Sequence, residues 1–468
     1  MKSNVTNNTQ CSDEKNEQVL PDANSPNAAN FPEPAAAPSA ANPENPAELS
    51  DAASKNPTPD PFTQRIHDMA PEIEPYVIEK RRFFHAYPEL SGKEINTTMA
   101  LAAELEEIGV PYVFAKDVIV GDECESGLIA TISGEAPGAY DADGKPRHCV
   151  ALRADIDALP IKEQTNAPYA SQNDNIMHAC GHDCHMAMML GTVRMLHALR
   201  HELKGEVRII FQPAEEISIG SRKMIKAGAL DGVESIYGAH IWSEVDAGMV
   251  SIEAGPRMAN TDWFRVDVSG SSAHGAMPHK GVDAIVVGAA IIDALQVVVS
   301  RDTSPFAPVV LTIGEFHGGV ARNVMAGTAY LAGTVRSFDS KVRDFLRARM
   351  EYMVNRVAES YGATADFEWQ TGNSALVNDE VCAQRARRSA EKALGEQALA
   401  HYEGTLSGED FSEYLRFVPG VFVFVGGRNS EIGANHPQHS CFYDVDERVL
   451  INGSMLAAQY AYDFLSEE

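Results

Sequence analysis

The order of apolar periodicities between Asp262 and Gln370 constrains this chain more than any other feature. The stretch DWFRVDVSG alternates Phe264, Val266 and Val268 with polar residues, the period of a half-buried strand. A helix is predicted from Val282 to about Ser300, then strands over Val309 to Phe316 and Thr328 to Phe338. A helix from Lys341 to Ser360 and a strand from Ala363 to Gln370 complete the series. This β-α-β-β-α-β order is the split-βαβ signature of a ferredoxin-like sandwich.

The flanking sequence follows a different plan. VIEKRRFFHAYPEL and NTTMALAAELEEIGV read as helices, with Leu101, Leu105 and Ile108 on one face of the second. CVALRADIDALP and EVRIIFQPAEE read as apolar strands that end in acidic residues, and Met186 to about Arg200 between them has helical spacing. The pattern returns with a helix near Glu380 to Leu394, the strand GVFVFVGG and a closing helix to about Phe464. Alternating strands and helices predict an α/β layer with its site at the strands' carboxyl ends. One α/β domain (residues 62–258 and 373–468) is thus expected to carry an inserted domain (residues 259–372), with a substrate cleft between them.

Residues 1–61 hold ten of the 25 prolines and almost no large apolar residues between Leu20 and Phe62. Such a segment cannot bury enough surface to offset its ordering entropy and reads as a disordered tail. It has neither the basic start nor the apolar region of a signal peptide. No run approaches the roughly 18 apolar residues of a membrane span. The net charge of −28 argues against a nucleic-acid surface, which needs clustered Lys and Arg. Seven scattered cysteines in a long chain point to a reducing, cytoplasmic setting rather than a disulfide framework.

The stretch HACGHDCH, residues 178–185, crowds three histidines, two cysteines and an aspartate together. A metal centre, a redox pair of Cys180 and Cys184, and a polar helix start all remain open on this stretch alone. Cys180 and His182 are two apart, so in an extended segment they point the same way and can share an ion; thiolate and imidazole suit zinc and related metals. Glu215 and Glu216 end a predicted strand, where paired carboxylates can divide labour between a metal and a water. His240 ends another apolar run, and His439 lies in HPQHSCFY. Each histidine alone is more often a hydrogen-bonded or surface residue than a ligand.

Taken together, LRADIDALP, MHACGHDCHMAMMLG, FQPAEE, GAHIW, SSAHGAMPH, GGVARNV, GTVRSF, GEDFS and HSCFYDVD resemble, in content and order, metal-dependent amidohydrolases of the aminoacylase/carboxypeptidase metallopeptidase superfamily. The nearest branch contains hippurate hydrolases and indole-acetyl-amino-acid hydrolases, and the resemblance covers about residues 62–468. It implies a two-metal, aminopeptidase-like catalytic domain with an inserted ferredoxin-like lid, and it allows a homodimer through that lid. It also implies Cys180, His182, Glu216, His240 and His439 as ligands of two divalent ions (Zn, Mn, Co or Ni), with Glu215 as general acid/base. Cys184 then reads as a small buried residue, and His185 as support or helix cap. Asp155, Asp157 and Asp183 would orient histidines or shape the strand end. His274 matches a lid histidine that in relatives reaches across a dimer into the partner's site. Asn323 and Arg336 match lid positions that hold the substrate, though an ordinary salt bridge is an alternative for Arg336.

The substrate implied is an N-acyl amino acid, cleaved at its amide by metal-activated water. A dipeptidase or carboxypeptidase, and an N-acetyl-diaminopimelate-type deacetylase, are the rival enzymes. A metal-bound binding protein without catalysis would lack Glu215 or a ligand, and all are present. Cys441 and the pair Met325-Ala326 depart from the family's usual residues, at positions expected near the pocket.

Overall fold

The computed structural model describes residues 60–118 and 125–467. Most of the expected tail, up to residue 59, lies outside the described residues. Asp60 caps α1 (Pro61–Ala86) by accepting the Phe62 N–H at 3.2 Å. This helix starts sixteen residues before the expected Val77 and runs through Pro71 and Pro75. Both prolines sit on its exposed side, while Phe62, Ile66, Ile73, Val77 and Phe84 bury the other. The buried stripe outweighs two missing backbone hydrogen bonds. Helix α2 (Ile95–Ile108) buries Leu101 and Leu105 and ends at Gly109, whose φ of 91° is the left-handed cap.

The main sheet is built from β1 (Tyr112–Phe114), β2 (Leu128–Ser133), β3 (Cys149–Asp155), β4 (Glu206–Gln212), β5 (Ser235–Asp246) and β6 (Val250–Ser251). Helices α3 (Ala115–Val118), α4 (His182–Ala198) and α5 (Gly220–Lys226) interleave with them. Two short strands, β7 (Gly255–Met258) and later β12 (Leu376–Asn378), pair with each other. Between them come β8 (Asn260–Ser269), α6 (Ala284–Val297), β9 (Val309–Gly318), β10 (Thr328–Ser337), α7 (Ser340–Ser360) and β11 (Thr364–Thr371). The chain closes with α8 (Glu380–Leu394), β13 (Gly420–Arg428) and α9 (Leu450–Ser466).

The main sheet has the order β1-β2-β4-β3-β5-β13-β6. Its central strands β4, β3, β5 and β13 are parallel, and the edges are antiparallel. Every residue of β3 is buried, as expected of a strand covered on both faces. Val421, Val423 and Val425 of β13 face a core made with α1, α4, α8 and α9, while Phe422 and Phe424 face Met224 of α5, Phe411 and Tyr414. The mixed α/β fold read from the sequence is the one observed.

The second sheet is antiparallel in the order β11-β8-β10-β9. Its element order is the β-α-β-β-α-β series of the sequence. Helices α6 and α7 cover one face, burying Phe264, Val266, Ile291, Leu295, Leu331, Leu346 and Met350. The other face is open. Among the described residues, Ala284–Asp302 is a helix long and apolar enough, by length and composition alone, to cross a membrane, with mean hydropathy 1.8, though Asp293 interrupts its apolar run. It packs Val287, Ile291 and Leu295 onto this sheet and leaves Ile285, Val286 and Val297 exposed.

Candidate metal centre

The parallel strands and the loops beyond them gather the chemistry. Cys180 and His182 do not lie in an extended segment, as their spacing suggested. His182 is the first residue of α4, and Gly181 before it has a φ of 92°. A Cβ at Gly181 would stand 2.3 Å from Ile241 Cγ2 and 2.8 Å from the Tyr443 hydroxyl. The left-handed glycine turns the chain so that thiol and imidazole still meet.

His182 is held from behind. Its Nδ1 lies 2.9 Å from the Asp157 carbonyl and 3.2 Å from Asp157 Oδ1, which puts the ring proton there. Its Nε2 is buried without a hydrogen-bond partner, 3.7 Å from Asp155 Oδ2 and 3.9 Å from Glu216 Oε1. Asp157 also accepts the Glu216 N–H at 3.0 Å and the Ser91 hydroxyl at 2.7 Å. Glu216 Oε1 is likewise buried and unpartnered. His240, on β5, donates Nδ1–H to the Ile241 carbonyl at 2.6 Å, and its Nε2 is 3.4 Å from Cys180 Sγ. His439 has a φ of 64° and donates its backbone N–H to Ala179; its ring Nε2 is 3.5 Å from Glu216 Oε2.

These donors form overlapping triads: Cys180–His182–His240, Cys180–Glu216–His439 and His182–Glu215–Glu216, each within 4.8 Å. Inward-facing nitrogens whose far sides are protonated, a thiol and a carboxylate fit a transition-type cation. Burial, then Glu216 and Glu215, push the Cys180 thiol well above its usual range, so a thiolate here needs a cation beside it. Burial works against a charge on His182 too, but Asp155 and Asp157 raise it to about 10. Two further triads, Asp155–His182–His185 and Glu215–Glu409–Asp410, each share one member with these, and their other members are held by further partners. His185 donates Nδ1–H to Asp155 at 2.5 Å and accepts the Ile241 N–H on Nε2 at 2.8 Å. Glu409 and Asp410, which gather with Glu215, both bond Arg153.

Arg153 was not anticipated from the sequence. It is buried, and its guanidinium bonds Gln212 at 2.9 Å, Asp155 at 2.6 Å, and Glu409 and Asp410 at 3.0 Å each. A charged residue inside an apolar strand, and the GEDF acids after a glycine, were its only signals. Glu215 Oε1 accepts the Asp410 N–H at 3.3 Å. Burial, then Glu409 and Glu216, raise the Glu215 carboxyl well above its ordinary value.

Asp183 does not touch a candidate ligand. It bonds Arg81 Nε at 2.9 Å and His85 Nδ1 at 2.8 Å, fixing the first turn of α4 to α1. Asp155 likewise holds His185 and Arg153. Cys184 is fully buried in the core.

A cleft of about 440 Å³ opens over these donors. Cys180, Glu215, Glu216, His240 and His439 line it together with Trp242, Met258, Trp263, Arg336 and Asn373. Arg336 Nη1 bonds the carbonyls of Val335 at 3.1 Å and Asp262 at 3.4 Å, and the Thr334 hydroxyl. It has no ion-pair partner among the described residues. His274 and Asn323 lie elsewhere, exposed on neighbouring loops beside the second sheet, where the Gly275 N–H meets the Asn323 carbonyl at 2.9 Å. Met325, Ala326 and Cys441 do not line the cleft either.

Thiol, imidazole and carboxylate donors gathered beside a cleft over a parallel sheet fit a metal-binding site. The chain belongs to peptidase family M20/M25/M40, whose model matches residues 151–463, and it is an amidohydrolase. It is 38% identical over 382 residues to an N-acetyl-L-cysteine deacetylase of Bacillus subtilis, covering 82% of this chain and 86% of that one. It is 34% identical over 397 residues to an IAA-amino acid hydrolase of Arabidopsis thaliana, covering 84% and 86%. Among solved structures, a Bacillus subtilis M20-family peptidase described as binding a dinuclear metal superposes with a TM-score of 0.73 at 34% identity, covering 85% of this chain and 99% of that one.

Proposed function

We propose that the chain hydrolyses the amide bond of N-acyl amino acids, with Cys180, His182, Glu216, His240 and His439 as ligands and Glu215 as general acid/base. The observation that carries this reading is one cleft that joins the donor set, a buried carboxyl and an arginine without an acidic partner. Five ligands exceed the four of one tetrahedral ion, which suits two ions sharing ligands. The relative described as binding a dinuclear metal supports that number. Bound here, two divalent cations (Zn, Mn, Co or Ni) supply a polarised carbonyl and a water whose pKa falls towards roughly 7.

Glu215 takes the proton of the attacking water on its carboxylate and returns it to the leaving nitrogen. Its buried, acid-rich surroundings favour the protonated form once the proton has arrived. Asp157 keeps the His182 proton on Nδ1 and so keeps Nε2 free for an ion. Arg336 takes the substrate carboxylate by charge-assisted hydrogen bonds. Residues 259–372 act as a lid. Their exposed His274 and Asn323 serve the partner's cleft in a homodimer, where His274 meets oxyanion charge. A ligand thiol must stay reduced, which suits the cytoplasm; the five cysteines among the described residues are free.

Carboxypeptidase action is the second reading, favoured by 35% identity over 412 residues to a thermostable carboxypeptidase of Saccharolobus solfataricus. A screen of N-acyl amino acids against dipeptides and N-acyl peptides, on protein of measured metal content, decides. Turnover of N-acyl amino acids with metal present is the expected result. Cleavage of peptides alone would overturn the first reading.

A further inference from the structure

Trp263 is not among the residues to which a role has been given, yet it lines the same cleft as Arg336. On β8 and β10, Trp263 pairs with Thr334, and Thr261 pairs with Arg336. All four share the face of the second sheet opposite the buried Phe264 and Val335. Trp263 and Arg336 are therefore diagonal cross-strand neighbours, about 7–8 Å apart at the backbone, a spacing that long and aromatic side chains bridge. Both line the cleft.

The indole is available. Gly372 lies under it: a Cβ there would stand 2.7 Å from Trp263 Cζ3. Trp263 keeps 39% of its surface exposed. Beyond it a second hollow of about 530 Å³ continues along the same face, lined by Trp263, Arg265, Glu368 and Gln370. The cation in that hollow is already neutralised. Arg265 bonds Asp267 at 2.7 and 2.8 Å and stacks on the Tyr330 ring at 3.9 Å from its centroid. An acidic side chain finds no free cation there, whereas a ring finds an aromatic floor and room to extend.

We infer that Trp263 is a specificity-determining residue that selects an aromatic side chain on the amino acid whose carboxylate Arg336 holds. This rests on the proposed N-acyl-amino-acid reaction. An α-carboxylate on Arg336 directs its own side chain along the sheet face towards the indole. The acyl group, across the scissile amide, points away towards the donor set.

The test compares kcat/KM for N-acetyl-L-phenylalanine, N-acetyl-L-alanine and N-acetyl-L-lysine in the metal-loaded wild type, Trp263→Ala and Trp263→Phe. The wild type prefers phenylalanine over alanine by roughly tenfold or more, the scale of an aromatic contact with its buried area. Trp263→Ala collapses that ratio, mainly through KM, because the contact is the same in ground and transition states. Trp263→Phe keeps most of it. An unchanged ratio in Trp263→Ala overturns the inference, as does a preference for lysine. So does a change confined to the ratio of N-benzoyl-glycine to N-acetyl-glycine, which would put the indole on the acyl side. If no N-acyl amino acid is turned over by the wild type, the reaction itself has been misread. Calorimetric titration of N-acetyl-L-phenylalanine then still judges Trp263, and equal affinity for wild type and Trp263→Ala overturns its role.

Discussion

Asp157 Oδ1 lies 3.2 Å from His182 Nδ1, and the other oxygen of the same carboxylate accepts the backbone N–H of Glu216 at 3.0 Å. One buried side chain thus sets the direction of two candidate ligands from different elements. Asp157→Asn keeps the volume but replaces one carboxylate oxygen by a donor that opposes either the imidazole N–H or the amide N–H. Losing such support costs about 10- to 100-fold in metal affinity. Competition with a fluorescent chelator measures it, and wild-type affinity in Asp157→Asn would remove Asp157 from the site.

The adjacent glutamates separate on the same logic. Glu216 Oε1 is unpartnered beside His182 Nε2, whereas Glu215 Oε1 takes a backbone N–H from the acid-rich loop at Asp410. Glu216→Gln is expected to lose metal and to recover some activity when metal is added, because an amide oxygen is a poorer donor to a dication. Glu215→Gln is expected to keep its metal and to lose at least about 100-fold in kcat, the scale of general acid–base catalysis. Metal content and metal-titrated activity read both outcomes; the reverse pattern would exchange the two roles.

Asp155, Glu409 and Asp410, all buried, share the Arg153 guanidinium. Arg153→Met removes the cation these acids share, and breaking a buried network from one side costs roughly 3–5 kcal/mol. Urea denaturation at neutral pH checks this. A loss below about 1 kcal/mol would mean that the acids are protonated without it.

What the sequence told and withheld follows from the range of the interactions. The β-α-β-β-α-β series around the second sheet was legible because period-2 and period-3.6 patterns are local, and Phe264, Val266 and Val268 bury as their alternation predicts. The start of α1 was missed because Pro71 and Pro75 are local helix breakers, and only packing on α4 and α9 overrides them. Cys180, His182, Glu216, His240 and His439 stand out singly in the sequence, only the resemblance joins them into one set, and the fold brings them into overlapping triads. Their geometry was not foreseen, since a left-handed Gly181 does not show in residue spacing. The Arg153 network was invisible because Glu409 is 256 residues away.

That glycine makes a prediction of its own. Gly181→Ala adds a methyl group 2.3 Å from Ile241 Cγ2 at a φ of 92°. The left-handed conformation costs a non-glycine residue about 1–2 kcal/mol, and overpacking about 1–3 kcal/mol more. The variant is expected to melt at lower temperature and to hold less metal, as Cys180 and His182 spread apart. A thermal scan with metal analysis tests this, and a variant equal to wild type in both would show that the loop tolerates another path.

Arg336 carries the recognition argument and can be tested apart from the chemistry. Half-buried beside the donor set, its Nη1 is spent on the Val335 and Asp262 carbonyls, and no carboxylate of the described residues pairs with it. A charge-assisted hydrogen bond contributes about 1.5–3 kcal/mol, so Arg336→Ala should lower kcat/KM for an N-acyl amino acid by roughly 10- to 100-fold. Arg336→Lys should recover only part, because an ammonium lacks the flat fork that fits a carboxylate. The same variants assayed on the primary amide of that N-acyl amino acid, which has no carboxylate, should fall little below wild type. Equal losses on acid and amide would mean that Arg336 supports the fold of the cleft rather than reading the substrate's charge.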